Sequence, residues 1–131
     1  MIDIEQILLL RQIELFDHVS DEALAKLMTI AQGKTFKPKE TIVAKETSYA
    51  PLHILLSGSV RVENASGEEQ ILDAPAVLCM SQVFNPNPCD ITIIAQTKTV
   101  ALVVAKEDLY RAFVMHPSLA FGFLEKLSKK C

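Results

Sequence analysis

The spacing of apolar residues changes twice along this chain. From Ile4 through Ile7, Leu8 and Leu10 it is helical, predicting a short N-terminal helix that Phe16 closes against a core. Ser20 has the character of an N-cap, with Asp21 and Glu22 in the first turn. Leu24, Leu27, Met28 and Ala31 form one apolar face before Gly33, where a second helix should end. After Gly33 the period shortens from 3.6 toward 2. Phe36 and the runs at 41–44, 52–56, 59–63, 69–72, 91–95 and 100–104 are β-rich and separated by Gly, Pro, Asn and Ser turns. The Ser57-Gly58 and Ser66-Gly67 turns make the middle of the chain read as a β-hairpin array. That density of short strands, about eight in all, predicts a barrel or jelly roll.

A helical pattern resumes at Lys106, with Glu107 and Asp108 in its first turn and Leu109, Ala112 and Phe113 facing inward. It should stop near His116. Pro117 suits the first turn of a last helix that buries Leu119, Phe123, Leu124 and Leu127. The expected organisation is one domain, 1–131: helices over 1–33, a β-barrel over 34–105 and helices over 106–131. The fold class is mainly β with flanking helices.

Composition narrows the function. The chain has 131 residues, half of them hydrophobic and 22% charged, enough for one core that buries roughly two thirds of the unfolded surface. A net charge of −3 argues against nucleic acid, which requires clustered Lys and Arg. Lys126, Lys129 and Lys130 form the one local cationic cluster, and on a final helical turn they complement the helix dipole. Cys79, Cys89 and Cys131 make neither a disulfide framework nor a CxxC pair, and an odd count without a signal peptide points to a reducing, cytoplasmic setting. That setting includes a cytoplasmic domain of a larger protein. Apolar runs such as 99–105 fall short of the roughly 20 residues of a membrane helix, so no direct membrane insertion is expected. His18, His53 and His116 lack the spacing of a metal site, and no nucleophile–base pair stands out. The sequence thus predicts no catalytic residue, no metal, no cofactor and no enzymatic activity.

Four segments, in order, carry a resemblance: LLLRQIELFDHVSDEALAKL at 8–27, FKPKETIVAKET at 36–47, LHILLSGSVRV at 52–62 with the Gly67-Glu68 turn, and IIAQTKTVALVVAKEDLYRAFVMHPSLAFGFLEKL at 93–127. Together they resemble a cyclic-nucleotide-binding domain, the regulatory module of catabolite activator-type proteins, protein kinase A regulatory subunits and gated channels. The resemblance implies a double-stranded β-helix jelly roll with N-terminal helices and two C-terminal helices. It also implies a phosphate-binding cassette, a short turn and helix that presents backbone N–H groups to the cyclic phosphate. In that cassette a Gly permits close backbone approach, a Glu hydrogen-bonds the ribose and an Arg pairs with the phosphate.

Laid on that pattern, Cys79 stands where the Gly is expected, Met80 where the Glu is expected and Cys89 where the Arg is expected. Ser81, Asp90 and Thr92 complete the degenerate cassette positions. Lys39 stands where the family has a turn glycine, and Asn85-Pro86-Asn87-Pro88 is a rigid turn that predicts a reduced or absent cassette helix. Removing an arginine–phosphate pair costs about 3–5 kcal/mol, and losing the ribose bonds adds roughly 1–3 kcal/mol. Together that is on the order of three to six decades of affinity. The expectation is a regulatory or interaction domain that does not bind cyclic AMP or cyclic GMP in the usual way. Its terminal helices would dock on a protein partner, on a neighbouring domain of a parent protein, or on a second copy as a homodimer. Within this sequence no room remains after the closing helices for a helix-turn-helix domain. The alternatives are a sensor whose altered pocket takes a different small molecule or a divergent cyclic-nucleotide mode, and a cupin-like metalloenzyme.

Overall fold

The computed structural model describes residues 4–128. Lys129, Lys130 and Cys131 lie outside the described residues, so the expectations for the terminal lysines and the third cysteine are not addressed.

The N-terminal helices are α1 (Ile4–Leu10) and α2 (Asp21–Ile30), joined through a 3-10 turn at Glu14–Phe16. Ser20 caps α2 as its position predicts, its Oγ accepting the Ala23 N–H at 3.1 Å. Two details differ from the pattern. Leu10 is fully buried, but Ile4 and Leu8 face outward, because a helix this short packs only one side against the core. And α2 stops at Ile30, so that Gly33 lies within the first strand, β1 (Gln32–Phe36). Gly33 pairs there with Leu102 of β8 (Thr99–Val104), and this sheet pairing overrides the local stop signal.

Six further strands complete the sheets: β2 (Thr41–Val43), β3 (Leu52–Ser57), β4 (Ser59–Glu63), β5 (Glu69–Asp73), β6 (Ala76–Leu78) and β7 (Thr92–Ala95). They form two antiparallel sheets in the orders β1-β8-β3-β6 and β2-β7-β4-β5, the expected jelly roll. One pairing is corrected. β3 and β4 are not a hairpin: β3 pairs with β6 and β8, while β4 pairs with β5 and β7. A single residue between them cannot reverse the chain, so it turns a corner into the opposite sheet. Gly58 makes that corner at φ +96°, where an added β-carbon would lie 2.5 Å from the Lys98 carbonyl oxygen and 2.8 Å from Thr99 Cα. The next hairpin, β4 with β5, forms as the Ser66-Gly67 turn predicts, with Asn64 Oδ1 accepting the N–H groups of Ser66 and Glu68 at 3.0 Å each.

Alternation along the strands divides the core. Leu52, Ile54, Leu102 and Val104 join Phe16, Leu24 and Leu27 of the helical layer. Leu55, Ala101 and Phe36 point the other way, meeting Val43, Val60, Ile93 and Ala95 inside the barrel. The closing helices are α3 (Lys106–Met115) and α4 (Pro117–Ser128). Leu109, Leu119 and Phe123 are buried in the helical core, each contributing about 1.5–3 kcal/mol. Leu124 is 63% exposed, contrary to expectation, because it sits about 100° around the helix from buried Phe123. Gly122 lets α4 approach the 3-10 turn, since a β-carbon there would lie 2.7 Å from the Leu15 carbonyl oxygen.

Candidate functional site

The cassette segment starts where β6 ends. The residue after Leu78, Cys79, has φ 71°, a left-handed conformation that glycine adopts freely and a β-branched or bulky residue does not. Lys39 has φ 73°, so both positions where the resemblance expects a glycine keep a glycine-type backbone. From Cys79 the chain makes a single helical turn. The Cys79 carbonyl accepts N–H groups from Gln82 at 3.2 Å and Val83 at 3.0 Å, and the Gln82 carbonyl accepts from Asn85 at 3.0 Å. Pro86 and Pro88 carry no N–H with which to continue it. Residues 80–84 are accordingly a turn and not a helix.

Side chains from this segment disperse. Cys79 and Cys89 are buried in the apolar barrel cluster beside Phe36, Leu55 and Ile93. Burial pushes the Cys79 thiol up to about 12, with the neighbouring Cys89 adding to the shift, so Cys79 stays a protonated thiol at neutral pH. The Cys89 thiol donates to the carbonyls of Ala44 at 3.4 Å and Ile91 at 3.6 Å. Met80 turns the other way, into the helical core with Val83. Ser81 and Asp90 are exposed, and Thr92 falls on the face of β7 opposite to Ile93, paired with Glu63. Of the six cassette positions, the structure therefore brings only Cys79 and Cys89 together. Phe84 is 41% exposed and packs on α3, whereas Met80 is buried.

Three features of the site had no clear signal in the sequence. His53 points into the barrel against Phe36, ring centroids 6.3 Å apart, with its Nδ1 2.8 Å from the Pro51 carbonyl. Desolvation by burial pulls its pKa down; the Pro51 bond opposes this and nearby Lys34 reinforces it. The segment between β2 and β3 hydrogen-bonds to the cassette segment. Glu46 N–H donates to the Cys89 carbonyl at 2.8 Å, Cys89 N–H to the Thr47 carbonyl at 3.1 Å, and Tyr49 N–H to the Asn85 carbonyl at 3.0 Å. Finally, the Lys106 ammonium lies 3.8 Å from the centroid of the Tyr49 ring, and Phe84 meets Phe113, which in turn meets Phe123 edge-on, so α3 touches the cassette segment and α4 touches α3. Among the described residues, no group of three or more His, Cys, Asp or Glu could hold a metal ion.

Residues 33–116 match the family model of the cyclic nucleotide-binding domain. No curated protein matches the chain. The solved structures it is similar to include the catabolite activator protein of Thermus thermophilus, at 17% identity and a TM-score of 0.79, covering 89% of this chain and 57% of that one. The chain thus spans little more than half the length of that protein. The N-terminal domain of a transcriptional regulator from Streptomyces coelicolor A3(2) is 22% identical with a TM-score of 0.78, covering 93% of this chain and 91% of that one. The sensor domain of the transcriptional regulator DNR from Pseudomonas aeruginosa is 20% identical with a TM-score of 0.77, covering 97% and 88%. At these identities the likeness is one of fold.

Proposed function

The chain belongs to the cyclic nucleotide-binding domain family, and from that premise we propose that it is a single regulatory or interaction module that does not hold a cyclic nucleotide by the family's usual contacts. The observation that carries this reading is Cys89. It occupies the position at which the resemblance places the phosphate-binding arginine, yet it is buried among apolar side chains with its thiol committed to two carbonyls. Met80, at the ribose-binding position, is packed into the helical core and offers only a weakly accepting thioether in place of a carboxylate. A cyclic phosphate entering here would be desolvated without a cationic partner.

The module works by docking, without enzymatic activity or cofactor, in a cytoplasmic setting. Tyr110 and Val114 on α3, and Phe121 and Leu124 on α4, are 63%, 64%, 68% and 63% exposed. These residues suit contact with a protein partner, a neighbouring domain or a second copy. Among the described residues, no helix is long and apolar enough to cross a membrane.

The test is a thermal-shift titration with cyclic AMP and cyclic GMP to millimolar concentration, followed by calorimetry. A flat response is expected. Saturable stabilisation at micromolar ligand would overturn the reading, and stabilisation by an uncharged metabolite alone would favour a sensor with an altered pocket.

A further inference from the structure

We infer that the segment at 44–50 is a built-in clasp, which holds the cassette turn in place without a ligand and ties its position to the start of α3. The inference rests on the proposed function above, since a module lacking the usual phosphate contacts needs something else to fix its cassette.

Four hydrogen bonds make the clasp. Glu46 and Tyr49 donate their N–H groups to the carbonyls of Cys89 and Asn85, Cys89 donates its N–H to the Thr47 carbonyl, and the Cys89 thiol donates to Ala44. The bonds grip the cassette segment at both Asn85 and Cys89, on either side of the two prolines. Glu46 has φ 71° and Tyr49 φ 52°, so the two residues whose N–H groups reach the cassette both hold left-handed backbone. Such conformations persist where the surroundings over-determine them. Ala50, fully buried in the barrel cluster, anchors the segment beside Tyr49.

Tyr49 also faces α3. Its backbone holds Asn85 while its ring carries the ammonium of Lys106, the first residue of that helix. Phe84, the neighbour of Asn85, meets Phe113 farther along the same helix. Cassette turn, clasp and α3 are therefore joined at two points, with protein groups doing what a bound ligand would otherwise have to do. A ligand shifts such an arrangement only through differential affinity for its states, and here a covalently attached segment supplies the bias.

Single-amide hydrogen exchange on the ligand-free protein tests this, comparing the unmodified chain with Lys106→Met and Tyr49→Leu. The amides of Glu46, Tyr49 and Cys89 are expected to be protected without any ligand. Lys106→Met should speed exchange at Tyr49 and Cys89 about two- to fivefold, the loss of one partly exposed cation–π contact. Tyr49→Leu should do the same at Leu109, whose N–H donates to the Ala105 carbonyl in the first turn of α3. Amides of the β4–β5 hairpin should not change in either variant. The clasp is overturned if its amides exchange freely in the unmodified protein, if neither variant moves them, or if the hairpin accelerates in parallel. Protection that develops only on adding cyclic AMP sinks the clasp and the proposed function together. Micromolar cyclic AMP binding to a protein whose clasp amides are already protected sinks the proposed function alone.

Discussion

The ring of Phe84 lies 5.7 Å from that of Phe113, at an interplanar angle of 45°, and joins the cassette turn to α3. Phe113 in turn meets Phe123 of α4 edge-on at 5.0 Å. Phe113 thus makes two aromatic contacts and Phe84 one. Phe113→Ala is expected to cost about 3 kcal/mol of stability and Phe84→Ala about 1 kcal/mol. A double-mutant cycle by urea denaturation should return a coupling of about 0.5–1.5 kcal/mol between them. Additivity would mean that the two rings do not support each other.

Two left-handed positions make a second prediction. Gly58→Ala adds a β-carbon against the backbone of Lys98 and Thr99 at φ +96°, and should cost more than about 3 kcal/mol or prevent folding. Cys79 already carries a β-carbon at φ 71°. Relief of that strain, about 1–2 kcal/mol, should make Cys79→Gly at least as stable as Cys79→Ala, the reverse of the usual order. Melting the two variants side by side decides it. A clear advantage for alanine would show that the conformation is not strained.

Stability should fall on both sides of neutral pH, for reasons that can be separated. The pKa of His53 is lowered on folding from 6.5, so below about pH 6.5 the unfolded chain takes up a proton that the native protein refuses. Stability is therefore lost as pH drops from there toward the depressed folded value. Cys79 is raised on folding from 9.0 to about 12, so above pH 9 the unfolded thiol ionises first and stability falls as pH rises toward 12. Denaturation midpoints measured across this range should lose the acid limb in His53→Gln and the alkaline limb in Cys79→Ala, each relative to the unmodified protein. An unchanged limb in either variant would remove that residue from the account.

Most of the element order was legible because local signals and tertiary structure agree. Ser20 caps α2, Pro117 opens α4, and the Ser66-Gly67 turn joins a true hairpin. Where they disagree, partners distant in sequence decided the outcome. Gly33 reads as a helix stop, but pairing with Leu102 drew it into β1, and Leu124 reads as core but lies beyond the buried stripe of α4. The Ser57-Gly58 turn reads as a hairpin because a turn signal does not state which sheet the next strand will join.

For the site, the sequence by itself determined which residue types are present and where: sulfur and thioether in place of glycine, carboxylate and guanidinium at 79, 80 and 89. Tertiary structure decided that Cys79 and Cys89 share the barrel interior while Met80 leaves it, because a left-handed residue at the end of β6 turns successive side chains toward different layers. It also decided the contacts of Tyr49 with Asn85 and Lys106, which join residues far apart in the chain. Periodicity records which way a side chain points within its own element. What it meets there depends on how the elements pack, and no local pattern encodes that.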